Sequence, residues 1–102
     1  MAYLSLAFYS ITNRSINANQ NNVAQYFVEL YKLVDPTNSD AWYFSAILHA
    51  RNNDTKETEE DLIKAVDNGF TDIARLQQQP EFKNLSTPVN FSDIEKEIHK
   101  KN

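Results

Sequence analysis

One glycine in 102 residues, Gly69, together with only three prolines, is the feature that most limits what this chain can fold into. Sheets closed by tight hairpins depend on repeated Gly-rich and Asn-Gly turns that supply positive φ. This chain lacks that supply, so long helices with few breaks are the expected architecture. With 41% hydrophobic residues the chain can build one modest core, and its length suits a single domain over residues 1–102.

Helical periodicity runs through the first two thirds. Residues 3–14 read as a first helix, with Leu4, Ala7, Phe8 and Ile11 as its expected buried stripe. The amide-rich stretch 17–22 reads as a turn and helix start, with a polar binding loop as the alternative. A second helix over 22–34 carries Val23, Tyr26, Phe27, Leu30, Tyr31 and Val34 at helical spacing, and Pro36 stops it. Asn38 or Ser39 can cap a third helix over 39–51, which places Trp42, Ser45, Ala46 and His49 on one face. Trp42, Tyr26 and Tyr31 are expected in the core.

The fourth helix opens with the capping-box spacing of Asp54-Thr55-Lys56-Glu57. Its acidic run of Glu57, Glu59, Glu60 and Asp61 suits the positive end of the helix dipole as a solvated start, in preference to a metal site. Leu62, Ile63, Ala65 and Val66 form its apolar side. The lone glycine falls directly after it, where a left-handed residue closes a helix. Short helices are expected over 71–78 and 80–85, then a linker over 86–90. Ser92-Asp93-Ile94-Glu95 is a second capping-box pattern. It opens a last helix with Phe91, Ile94 and Ile98 as a narrow stripe and the Lys100-Lys101 pair at its negative end.

A 34-residue shift brings Phe8 onto Trp42, Tyr9 onto Tyr43, Thr12 onto Ala46 and Val28 onto Leu62. That helix-turn-helix period resembles the tetratricopeptide repeat. A first unit spans about 4–38, with Phe8 bulky, Thr12 and Ala24 small and Pro36 closing. A second spans about 39–72, with Trp42, Ala46 and Ala65. Thr58 and Phe70 depart from the repeat's usual small residue and closing proline. A terminal cap spans about 73–102, and the stretch from Ala65 to Leu85, with Gly69-Phe70, Leu76, Pro80-x-Phe82 and Leu85, resembles the end-of-group element that terminates bacterial arrays of this family.

The resemblance implies an all-α fold: two antiparallel helix pairs in an α-α superhelix, closed by C-terminal capping helices. It implies a protein-binding or scaffolding role, with no catalytic residues and no cofactor. By analogy with the concave groove of such arrays, Tyr9, Asn13, Tyr43, Ile47 and Arg51 are the expected partner contacts, suited to a peptide or helix laid across them. Two repeats are fewer than the roughly three that usually stand alone. The cap compensates, further repeats precede the first, or the N-terminal helix pair meets another copy as a homo-oligomer.

Other function classes find little material. A net charge of −4 and scattered basic residues argue against nucleic acid. The absence of cysteine removes disulfides and thiolate metal sites. No apolar run approaches about 20 residues, so no membrane span is expected. Residues 1–16 lack a basic n-region and are interrupted by Ser5, Ser10, Thr12 and Asn13, which reads as a structural helix and not a signal peptide. The compartment stays open: a soluble chain is expected, in the cytoplasm or, as a piece of an exported protein, in the periplasm. His49 and His99 are the only histidines, and no catalytic spacing accompanies them. A free-standing hydrolase is therefore the third reading, after an adaptor and after a non-catalytic terminal domain of a larger bacterial enzyme or lipoprotein.

Overall fold

The structure, a computed structural model, describes residues 2–101, and the side chains of Ala2 and Lys101 lie outside what it describes. Helix follows helix: α1 (Ala2–Asn17), α2 (Asn21–Val34), α3 (Ser39–Arg51), α4 (Thr55–Asp67), α5 (Ile73–Gln78), α6 (Pro80–Lys83) and α7 (Phe91–Lys101). Among the described residues there is no strand, and no helix is long and apolar enough to cross a membrane. The fold is all-α.

The helices pack as successive pairs. α1 lies on α2 and α3 on α4, α2 joins the pairs by packing on α3, and α7 closes over α4. The turns inside the pairs are built alike. Asn19 and Asn53, 34 residues apart, both adopt the left-handed conformation (φ 58° and 59°). In each, two backbone N–H groups reach back to the last helical turn: Asn19 to Ile16 and Gln20 to Ser15, then Asn53 to Ala50 and Asp54 to His49. These are Schellman closures, with asparagine in place of the usual glycine. Gly69 makes the third, at φ 108°, its N–H bonded to Val66 and that of Phe70 to Ala65.

The same offset relates helix caps and buried positions. Asn38 accepts from the Asp40 N–H and starts α3, and Asp72 accepts from the Arg75 N–H and starts α5. Thr12 and Ala46, Ala24 and Thr58, and Val28 and Leu62 are matched pairs, all fully buried. Thr58 is tolerated at its crowded position because its hydroxyl donates to the Asp54 carbonyl, 2.7 Å away.

Several expectations are corrected. α1 runs to Asn17, and its buried side is Thr12, Ser15 and Ile16; Leu4 and Ala7 are exposed, and Phe8 and Ile11 only half-buried. On α2 the buried residues are Ala24, Val28 and Tyr31, while Val23 and Tyr26 are exposed. The cause is shared: this pair meets a neighbour only on the α3 side, so the rest of its apolar stripe stays uncovered. Trp42, expected in the core, is half-buried. Asp61 is no solvated dipole acid but is buried. Finally, α7 is capped by Asn90 and not Ser92: the Asp93 N–H donates to the Asn90 side chain, whose amide donates back to the Asp93 carboxylate.

Candidate functional site

The α3 face carrying Tyr43, Ile47 and Arg51 at four-residue spacing is where the sequence places most of the partner contacts. The chain covers that face itself. After Gly69 turns the backbone, α5 and α6 double back and α6 packs on α3. Tyr43 becomes fully buried: its ring stacks on Phe70 (4.9 Å between centroids) and meets Phe82 edge-on at 5.7 Å. The Arg75 guanidinium lies 4.2 Å over that ring, and the Tyr43 hydroxyl donates to Gln79 Oε1 at 2.9 Å. Burial pushes the phenol up to about 12, against the opposing pull of Arg75.

Ile47 is buried in the same core. Arg51 is spent on internal contacts: Nε and Nη2 donate to Glu81 Oε2 at 3.1 and 2.9 Å, Nη1 to Asn21 Oδ1, and Nη2 also to the Ile16 carbonyl. Thus Tyr43, Ile47 and Arg51 do not form a free contact surface, because the apolar segment from Phe70 to Leu85 needs this face to bury its own side chains. The acidic start of α4 is engaged too: the Asn90 N–H donates to Glu59, and Thr55 donates to the Thr87 carbonyl.

Tyr9 and Asn13, the contacts expected on α1, remain partly exposed. Tyr9 packs its ring 5.2 Å from Phe44. Beside it opens a cleft of about 340 Å³, lined by Ser5, Leu6, Tyr9, Tyr31, Asn38 and Asp40. Its wall is fixed from behind by Asp35, whose Oδ2 accepts from the Ser5 hydroxyl (2.8 Å) and from the Asn38 amide (3.0 Å). Leu6 stands on the rim, exposed. Sequence reasoning missed Tyr31, Asp35 and Asp40 as site residues. Tyr31 sits at core spacing and Asp40 in the dipole-favoured first turn of α3, so each already had a structural explanation.

A second polar group lies between α3 and α4. The Ser45 hydroxyl donates to Asp61 Oδ2 at 2.6 Å, and His49 Nδ1 stands 3.8 Å from the same oxygen. The order is serine, carboxylate, imidazole, so no imidazole touches the hydroxyl, and Ser45 is fully buried. Both facts differ from what an activated serine needs. Burial raises the Asp61 carboxyl above its ordinary range, opposed by the Ser45 hydrogen bond and by the Lys32 and His49 charges. The arrangement braces two helices. Beside it the Trp42 indole lies between Lys32 and Lys64, 5.0 and 4.8 Å from its centroid, and donates to the Pro36 carbonyl at 2.8 Å. Among the described residues no three His, Cys, Asp or Glu side chains come together in a way that could hold a metal ion.

Compared with known proteins, the chain matches no family model, no curated protein and no solved structure.

Proposed function

We propose that this chain is a non-catalytic protein-interaction module of the tetratricopeptide type, binding a segment of another protein in the open half of its groove. One observation carries the reading: Tyr9 and Tyr43 stand 34 residues apart, and only one of them is covered by the chain's own cap. Tyr43 receives Phe70, Arg75, Gln79 and Phe82. Tyr9 instead borders a cleft with an exposed leucine on its rim. The repeated turns, caps and buried positions support the repeat reading, and the self-occupied α3 face supports the idea that such faces take peptide segments.

Site-directed photocrosslinking tests this. A benzophenone side chain replacing Leu6 should capture a discrete protein from native lysate, while the same group at exposed Lys96 on α7 should not. Equal labelling from both positions, or none from Leu6, would count against the groove.

A second reading is favoured by where the exposed apolar side chains lie. Tyr3, Leu4, Leu6, Val23, Tyr26 and Leu33 are the exposed large hydrophobics among the described residues, and all belong to α1 or α2. Such a concentration marks an interaction face. The partner this face suits is a second copy, since Arg14 is the only charged residue in α1 and two such faces meet without strong repulsion. A chain that stays monomeric would favour the other source of a covering helix pair, a larger protein of which this is the closing domain.

A further inference from the structure

We infer that the cleft beside Tyr9 is a receptor for an arginine side chain, presented by a protein segment with an apolar residue next to the arginine. The inference rests on the groove reading above and names the chemistry of its occupant. Three observations carry it.

The first is charge. Asp40 lines the cleft, and its carboxylate has no hydrogen bond or ion pair among the described residues, while Asp35 stands behind the wall. No lysine, arginine or histidine is among the lining residues. The helix dipole accounts for an acid in the first turn of α3, but it does not account for the second observation.

Tyr31 is 1% exposed, lines the cleft, and its hydroxyl makes no hydrogen bond among the described residues. That hydroxyl, unlike the enclosed Thr12 hydroxyl, is not sealed from solvent, so it is open to a partner in the cleft. Burial and then the nearby Asp40 and Asp35 charges push this phenol upward, which marks the negative potential at that point. A phenol oxygen can accept from a guanidinium N–H, and a carboxylate can take a second N–H of the same planar fork.

The third is internal precedent. On the covered half of the groove the chain sets its own Arg75 guanidinium 4.2 Å over Tyr43, the residue 34 positions after Tyr9. An arginine stacked on Tyr9 would reproduce that contact, with Asp40 as its counterion and Leu6 receiving the apolar neighbour. The planar, multi-donor guanidinium fits ring, carboxylate and hydroxyl together better than the compact lysine ammonium.

The test is a titration of isotope-labelled protein, followed by amide resonances, with the peptide acetyl-Ala-Leu-Arg-Leu-Ala-amide and with its neutral citrulline counterpart. The expected result is shifts at Leu6, Tyr9, Asn38 and Asp40, saturating with the arginine peptide and weakened by added salt. Affinity should fall roughly tenfold for citrulline and for Asp40→Asn, and severalfold for Tyr31→Phe, which keeps the ring packed. Unchanged circular dichroism of both variants excludes a folding defect. Equal binding of the citrulline peptide would overturn the arginine assignment and leave the groove reading standing. Shifts confined to other surfaces, or none with either peptide, would overturn the assignment, and crosslinking from Leu6 then decides whether the groove reading falls with it.

Discussion

Replacing Tyr43 by alanine would take away a ring held between Phe70 and Phe82 under the Arg75 guanidinium, together with a hydroxyl bonded to Gln79. Such a loss leaves a cavity that α5 and α6 cannot close without moving. The expected cost is about 3–5 kcal/mol, the range for deleting a buried aromatic, read as a lower denaturation midpoint. Tyr9→Ala should cost less than half as much, since Tyr9 is only half-buried and its described ring partner is Phe44. Equal losses at the two positions would mean that the cap does not cover α3 as described. Two tyrosines 34 residues apart thus stand in unlike settings, Tyr43 covered by the chain and Tyr9 half-buried.

The helical elements differ in how firmly they are tied down. α6 is a single turn, and the Arg51–Glu81 pair fastens it to α3 while linking both to the end of α1 and the start of α2. Burial alone would raise the Glu81 carboxyl, but hydrogen bonds from Gln79, the Glu81 backbone and Arg51, with the Arg51 charge, hold it below the ordinary glutamate value. A depressed carboxyl contributes stability above its unfolded value, about 4.3, and loses that contribution as pH falls. Asp61 has the opposite sign: raised by burial, it favours the fold at low pH and withdraws that support as pH rises through its folded value. Acid should therefore loosen the cap before the α3–α4 pair. Hydrogen exchange, corrected for intrinsic rates, should show the Phe82 and Asn84 amides losing protection below about pH 4 while that of Leu62 persists. If Glu81→Gln exchanged with the same pH profile as the parent, this ion pair would not be the clasp. Element boundaries were largely legible in the sequence: α3 begins and ends where the Asn38 cap and the 3.6-residue pattern put it, and Gly69 closes α4 as expected. Which side of α1 and α2 is buried was not, because that depends on a neighbour missing on one side. The coverage of Tyr43, Ile47 and Arg51 was not legible either, since it follows from a segment some 30 residues away seeking its own burial.

At the scale of the whole molecule the two ends of the helix stack are unlike. One end is closed by the turn of α5 and α6 and by α7, which buries Ile94 and Ile98. The other presents the apolar surface of α1 and α2. A chain with one closed and one open end associates in twos and does not propagate into a filament, provided the open faces meet each other. Sedimentation should accordingly give a mass that rises with concentration toward a dimer, and the double change Tyr26→Glu and Leu33→Glu should hold the chain as a monomer with unchanged helical content. A wild-type mass that stays monomeric across the range would assign that face to a different helix pair. The placement of the only tryptophan also has a practical consequence. Trp42 touches Lys32 from α2 and Lys64 from α4, so its fluorescence is an optical gauge of the junction between the two helix pairs. Neither contact involves α5, α6 or α7. A melt followed through the indole will therefore time the separation of the pairs, whereas the assigned ring resonances of Tyr43 will time the departure of the cap, and the gap between the two curves measures how far the molecule comes apart in steps.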